Sequence, residues 1–146
     1  MQIRFEYDKN CKETEVIIRA AQMTEEVQET IQKLSVSSQK LLAGFTKDSV
    51  ELLDVSKVIR FYSENKKIYA QTMENEFLVR LRLYELEERL DKSLFARISH
   101  SEIINLNAIK KMDLSFAGTI CITLENKTTV YVSRRFLTKI KSVLGI

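Results

Sequence analysis

The chain of 146 residues contains no proline and no tryptophan, and only three glycines, two cysteines and one histidine. Phosphate-binding loops rich in glycine need several glycines in one short run, so the three scattered glycines exclude them. Cys11 and Cys121 lack the close spacing of a metal motif, and together with the single histidine they predict reduced thiols rather than a zinc site. We therefore expect no cofactor and no metal.

Long apolar runs are also missing. No stretch approaches the roughly 20 apolar residues that a membrane-spanning helix needs, and the N-terminus alternates apolar and charged residues instead of forming a signal peptide. A hydrophobic content of 45% with 29% charged residues is enough for a folded core. The composition predicts a cytoplasmic protein that consists of one ordinary domain, or of one domain with a small addition.

Positive charge is concentrated at the C-terminal end of a chain whose net charge is +3. Residues 1–40 carry six basic and seven acidic side chains, and residues 41–94 carry nine and ten. Residues 95–146 carry eight basic and three acidic side chains, a net charge of +5. A localised basic surface favours a polyanionic partner, although a solubilising surface would have the same composition.

The first 40 residues read as a β-β-α extension. Residues 2–8 alternate as a half-buried strand, and residues 15–19 form a second strand. Thr24 predicts the N-cap of a helix that ends near residues 35–38. The apolar stripe of this helix consists of Val27, Ile31 and Leu34.

Residues 41–146 read as a second unit rich in strands. The alternation of apolar residues predicts strands over residues 41–45, 50–53, 58–62, 68–72, 77–81, 109–114, 120–124 and 129–132. A short helix is indicated by the spacing of Leu83, Leu86 and Leu90. Ser133 predicts the N-cap of a final helix. The fold class is therefore α+β and mostly β.

The stretch over residues 95–107 breaks an apolar strand with a short polar turn. The turn contains His100, the only histidine, between two serines, and apolar residues follow it. Two other connections also display basic groups, the hairpin tip at residues 65–67 and the pair Arg134 and Arg135. Arginine and lysine can bond guanine edges in the major groove, whereas serine and histidine suit phosphates or base acceptors. Each connection taken alone would more often be a solvated loop.

Three stretches resemble the LytTR family of DNA-binding domains over about residues 41–146. They read Phe-Ala-Arg-Ile-Ser-His-Ser-Glu-Ile-Ile-Asn from residue 95, Gly-Thr-Ile-Cys-Ile-Thr-Leu-Glu-Asn from residue 118, and Val-Tyr-Val-Ser-Arg-Arg-Phe-Leu from residue 130. The resemblance divides the chain into a β-β-α extension over 1–40 and a LytTR-type domain over 41–146. The extension is too short for the receiver domain that most response regulators of this family carry.

The resemblance implies an elongated arrangement of small sheets whose loops enter successive major grooves of double-stranded DNA at promoter direct repeats. Base contacts would come from Lys66, His100 and Arg134. Phosphate contacts would come from Asn65, Arg97, Ser99, Ser101, Arg135 and Lys139. It identifies a bacterial transcription regulator with no small-molecule substrate, and it suggests a homodimer and a restraining membrane protein as candidate partners.

Two other functional classes fit parts of the chain. The N-terminal extension could make the protein an interaction module that captures a regulatory partner or a second copy. An enzyme is disfavoured, because adjacent serine and histidine residues in sequence do not give the geometry of a nucleophile and its base. We therefore expect a protein without catalytic residues.

Overall fold

The computed structural model describes residues 1–35 and 40–146. The chain divides into two compact units, Met1–Ser35 and Val36–Ile146. In the first unit, helix α1 spans Glu25–Ser35. Its predicted cap is confirmed, because the Thr24 hydroxyl accepts a hydrogen bond from the backbone N–H of Val27 at 3.3 Å. The part of the predicted helix end that falls on residues 36–38 lies outside the described residues.

The two strands predicted in the N-terminal extension are wrong. Neither residues 2–8 nor residues 15–19 form a strand in the described part of the chain. The apolar side chains of the first segment are largely exposed, with Phe5 86% exposed. Alternation makes a segment compatible with a sheet, but a strand also needs a neighbouring strand to pair with its N–H and C=O groups.

Residues 40–146, the described part of the second unit, contain ten strands in two sheets. Their bounds are β1 Leu41–Phe45, β2 Val50–Asp54, β3 Arg60–Glu64, β4 Lys67–Gln71, β5 Glu76–Val79, β6 Phe95–Ser99, β7 Glu102–Asn105, β8 Ile109–Asp113, β9 Cys121–Leu124 and β10 Thr129–Tyr131. The larger sheet has the order β2-β1-β5-β4-β3-β7-β6, and the smaller one the order β10-β9-β8. The predicted mostly β class is confirmed.

Two hydrophobic cores pack against opposite faces of β6 and β7. Phe95 and Ile103 belong to the first core, whereas Ile98 and Ile104 belong to the second. Successive residues of a strand point to opposite faces, so these two strands form the wall between the cores. Helix α2, Leu83–Arg89, closes the first core with Leu83 and Leu86, and the smaller sheet closes the second.

The C-terminal helix begins later than the sequence indicates. A 3₁₀ turn over Arg134–Phe136 comes first, and helix α3 spans Leu137–Leu144. Ser133 occupies the cap position of the 3₁₀ turn, but its side chain makes no capping hydrogen bond, so the predicted side-chain cap is wrong. The backbone carbonyl of Ser133 instead accepts a hydrogen bond from Phe136 N at 3.0 Å. Ile140 is fully buried and anchors α3 in the second core.

Asn105, at the end of β7, is the buried polar residue among the described residues, with 3% of its surface exposed. Its side-chain amide donates to Ser56 O at 3.2 Å and Val58 O at 2.9 Å, and its Oδ1 accepts from Asn107 N at 2.9 Å. The side chain thereby ties the end of β7 to the segment that enters β3. Both strands carry turns at their other ends, so Asn105 helps to hold those turns in register.

We expect Asn105→Ala to lower the free energy of unfolding by about 2 kcal/mol, because two carbonyls that it satisfies lose their donor. Urea unfolding followed by circular dichroism measures the change. Asn107→Ala is the matched control, since the exposed Asn107 contributes only its backbone N–H to the cluster. Equal losses in the two variants would contradict the assigned role of the buried amide.

Candidate nucleic-acid interface

The hairpin of β3 and β4 closes through a two-residue turn at Asn65 and Lys66. Both residues have positive φ, 52° and 65°. Two consecutive residues with positive φ define a type I′ turn, whose twist matches that of antiparallel strands. The turn places the exposed side chain of Lys66 at the tip of the hairpin.

The second turn joins β6 to β7 and carries His100. The pairing shifts between Arg97 and Ser99, so the strand bulges just before the turn. The Ser99 hydroxyl accepts a hydrogen bond from Ser101 N at 3.2 Å. The two serines therefore close the turn, and His100 is the exposed residue between them.

The third basic group, Arg134, opens the 3₁₀ turn beside β6. Ser133 N donates to Ile98 O at 2.9 Å, so the turn is bonded to the outer edge of β6 near the end that carries His100. A Cβ added to Gly118 would lie 3.5 Å from Arg134 Nε, which shows that the arginine side chain lies along this glycine. The side chain of Arg134 is exposed.

Sheet topology brings these three groups to one end of the larger sheet. Strands β3 and β7 are antiparallel neighbours, with Tyr62 opposite Glu102, and Ser63 N donates to Ser101 O at 2.9 Å. The end of β3 and the start of β7 therefore meet, and the turns that carry Lys66 and His100 lie side by side. Because the 3₁₀ turn follows on the far side of β6, the order along this end is Lys66, His100 and Arg134. We call these three residues the loop row.

Strand spacing gives the size of the loop row. Neighbouring strands lie about 4.8 Å apart, so the first two turns are separated by roughly 10 Å and the whole row covers roughly 15–20 Å.

Arg80 follows β5, and β5 pairs Val79 with Ile68 at the start of β4. Arg80 is exposed and therefore extends the row beyond Lys66. Sequence analysis missed Arg80, because only the strand order places the end of β5 beside this turn.

The six residues predicted to contact phosphates differ in their surroundings. Asn65 and Arg135 are exposed, and Ser99 and Ser101 are half-buried in the second turn. Lys139 is exposed on α3, with its Nζ 3.9 Å from Glu87 Oε1. Arg97 has a different environment. Its side chain is 12% exposed and is fully engaged inside the domain, by Glu87 at 2.9 Å and by the carbonyls of the second turn.

A polar cluster supports the sheet beside the second turn. Arg60 Nη1 lies 3.2 Å from Glu102 Oε2, and its guanidinium stacks 4.2 Å from the ring centre of Tyr62. Burial raises the pKa of Glu102, an effect that the nearby guanidinium of Arg60 partly offsets. Burial also raises the pKa of Tyr62 to about 12. These groups are engaged with one another, whereas the side chains of the loop row are exposed.

Comparison with known proteins decides the family. Residues 48–145 match the model of the LytTr DNA-binding domain. The chain belongs to the LytTR family. The family predicted from the three sequence stretches is thus confirmed, and the observed α+β arrangement is consistent with its fold.

Relatives and solved structures agree with this assignment. A Staphylococcus aureus MSSA476 protein named as an uncharacterized HTH-type transcriptional regulator is 39% identical over 140 residues, covering 94% of this chain and 95% of the relative. A protein of the same name from strain NCTC 8325 is 38% identical over the same length and coverage. A LytTr DNA-binding domain from Bacillus cereus matches with a TM-score of 0.71 and 27% identity, covering 73% of this chain and 98% of that domain.

The helices of this LytTR chain are separated by strands. In residues 1–35 and 40–146, no two α-helices follow one another directly. A helix-turn-helix places a recognition helix in the major groove, whereas the exposed polar groups of the loop row sit on turns. Within the same residues, none of the helices combines the length and apolar character needed to span a membrane.

Replacing Lys66 by glycine should leave the free energy of unfolding unchanged to within about 1 kcal/mol. Glycine removes the strain of a left-handed backbone at φ 65° but loses more entropy on folding, and the two effects nearly cancel. Lys66→Val should be destabilising, since a β-branched side chain is strained at positive φ. Thermal unfolding distinguishes the variants, and equal stability of the glycine and valine variants would contradict the turn geometry.

Proposed function

We propose that the protein is a transcription regulator that binds double-stranded DNA in a sequence-specific manner through the loop row. Lys66, His100 and Arg134 would contact base edges in the major groove, and neighbouring polar groups would contact phosphates. Membership of the LytTR family supports DNA as the partner. The observation that carries the proposal is the gathering of three exposed polar side chains from distant parts of the chain at one end of a sheet.

The dimensions of the loop row favour a bent duplex. Successive major grooves on one face of straight DNA are about 34 Å apart, whereas the row covers roughly 15–20 Å between its turns. The long side chains of Lys66 and Arg134 extend the length of the loop row at its two ends. A bend toward the protein shortens the remaining distance, so that the turns carrying Lys66, His100 and Arg134 would reach base edges in successive major grooves. Such bending costs on the order of 1–6 kcal/mol, which the added contacts must offset.

A lysine comparison tests the role of the first turn. Lys66→Gly should lower affinity for DNA and reduce the slope of log affinity against log salt by about 1, because one cation no longer displaces counterions. Lys127→Gly is the matched control. Lys127 is also exposed and has a φ of 69°, but its turn follows Glu125, whose N–H is bonded to Ala108 O beyond the opposite end of β7. Fluorescence anisotropy over a range of salt concentrations measures both variants, and equal losses of affinity would count against the loop row.

Base readout is tested at Arg134. If its guanidinium bonds a base edge, Arg134→Ala should cost about 1–3 kcal/mol of binding free energy and relax preference at one base position. Arg135→Ala should instead weaken binding to all sequences alike, as expected for a phosphate contact. Selection of bound sequences from a random duplex pool compares the variants with the unmodified protein. An unchanged preference in the Arg134 variant would remove this residue from the readout.

The arrangement of target sites and the protein partners are part of the proposal. We expect promoter sites built as direct repeats, occupied by two copies of the chain. For residues 1–40 we retain the prediction of a regulatory or dimerisation element that binds a membrane protein or a second copy. The exposed apolar side chains of Ile3, Phe5 and Tyr7 favour such a contact surface, although these residues are not in a strand. Light scattering with and without DNA would report the number of copies bound.

A further inference from the structure

Arg97 holds the second turn of the loop row from inside the domain. Its guanidinium donates in three directions, from Nε to Ser99 O at 2.9 Å, from Nη2 to His100 O at 2.6 Å and from Nη1 to Glu87 Oε2 at 2.9 Å. A planar guanidinium serves several acceptors at fixed angles, which a lysine ammonium cannot reproduce. The orientation of the turn therefore depends on where this guanidinium is fixed.

Glu87 fixes it. The side chain of Arg97 is 12% exposed, and a cation so far removed from water needs a partner of opposite charge. Glu87 supplies that charge from helix α2, whose Leu83 and Leu86 are buried in the first core. The helix that carries Glu87 is thus anchored in the first core, and the Glu87 carboxylate holds the second turn through Arg97.

The second oxygen of the same carboxylate faces α3. Lys139 Nζ lies 3.9 Å from Glu87 Oε1, and α3 directly follows the 3₁₀ turn that carries Arg134. Lys139 is 57% exposed, so this ion pair by itself contributes little to stability. One carboxylate nevertheless contacts the elements behind both the second and the third member of the loop row.

We propose that Glu87 is a positioning residue for DNA readout, which fixes the His100 turn through Arg97 and sets its position relative to the helix that follows Arg134. The inference rests on the proposed function, because it concerns how the same surface reads sequence. Glu87 does not itself contact DNA. Its effect is to preorganise the turn, so that binding does not have to order it.

The direction of the change in DNA affinity distinguishes a positioning role of Glu87 from a purely electrostatic one. A carboxylate near a polyanion is repelled by it, so removing the charge alone raises affinity for every duplex. Removing a positioning residue instead lowers affinity for the preferred sequence and leaves binding to other sequences the same or slightly stronger. A loss of overall stability reduces the folded fraction and weakens both kinds of binding equally.

Three variants exploit this difference. Glu87→Met keeps the size of the side chain but offers Arg97 no oxygen, and Glu87→Gln removes the charge while retaining one acceptor. Glu88→Met is the matched control, because Glu88 is exposed on the same helix and forms no ion pair within the described residues. Each variant of the full chain is titrated with a duplex selected from a random pool and with a scrambled duplex of equal length.

We expect Glu87→Met to lower affinity for the selected duplex about 10-fold, with unchanged or slightly higher affinity for the scrambled one. Glu87→Gln should retain most of the affinity for the selected duplex that Glu87→Met loses. Glu88→Met should change the affinity for both duplexes to the same extent. Sequence selection with Glu87→Met should also show relaxed preference at the base position that His100→Ala relaxes. Without DNA, amide NMR should report increased motion at residues 99–101 in Glu87→Met, and thermal unfolding gives the folded fraction.

Two results would overturn the inference. One is a change in Glu87→Met that is equal for the two duplexes, and the other is unaltered amide dynamics at residues 99–101. If the unmodified protein itself shows no preference between the duplexes, the proposed function fails, and the readout role of Glu87 fails with it.

Discussion

The antiparallel pairing of β3 with β7 is the constraint on which the rest of the domain depends. The hydrogen bond from Ser63 N to Ser101 O places two turns side by side although Lys66 and His100 are 34 positions apart in the sequence. Asn105 holds the opposite end of the same strand. The pairing also makes β6 and β7 a wall with one hydrophobic core on each face, so both cores resist a slip in register.

A sheet end is a suitable place for recognition groups. The strands are anchored by buried side chains, while the turns between them carry polar residues that need not pack. In this chain, the residues that hold a turn in place can be distinguished from the residue that the same turn presents for recognition. Ser99 and Ser101 close the second turn and His100 projects from it. Arg97, although charged, is directed inward, where it supports the turn.

Sequence patterns predicted the strands of the second unit well because most of them pack an apolar face against a core, and this produces alternation that is visible residue by residue. The same pattern failed for residues 2–8, where alternation exists without a pairing strand. Ser133 was a reasonable cap by residue type, but the chain tightens into a 3₁₀ turn there. The inward role of Arg97 could not be predicted, because its partner Glu87 lies on another element and only the fold brings the two together. Arg80 was missed for the same reason.

The claim that one sheet end forms the DNA surface can be tested most directly by NMR. Addition of a selected duplex to the isotope-labelled protein should perturb amide signals at Lys66, His100 and Arg134 and at Arg80, while Lys127, beyond the opposite end of β7, remains unaffected. Perturbations centred on the Lys127 turn or on α1, with the loop row unchanged, would contradict the account.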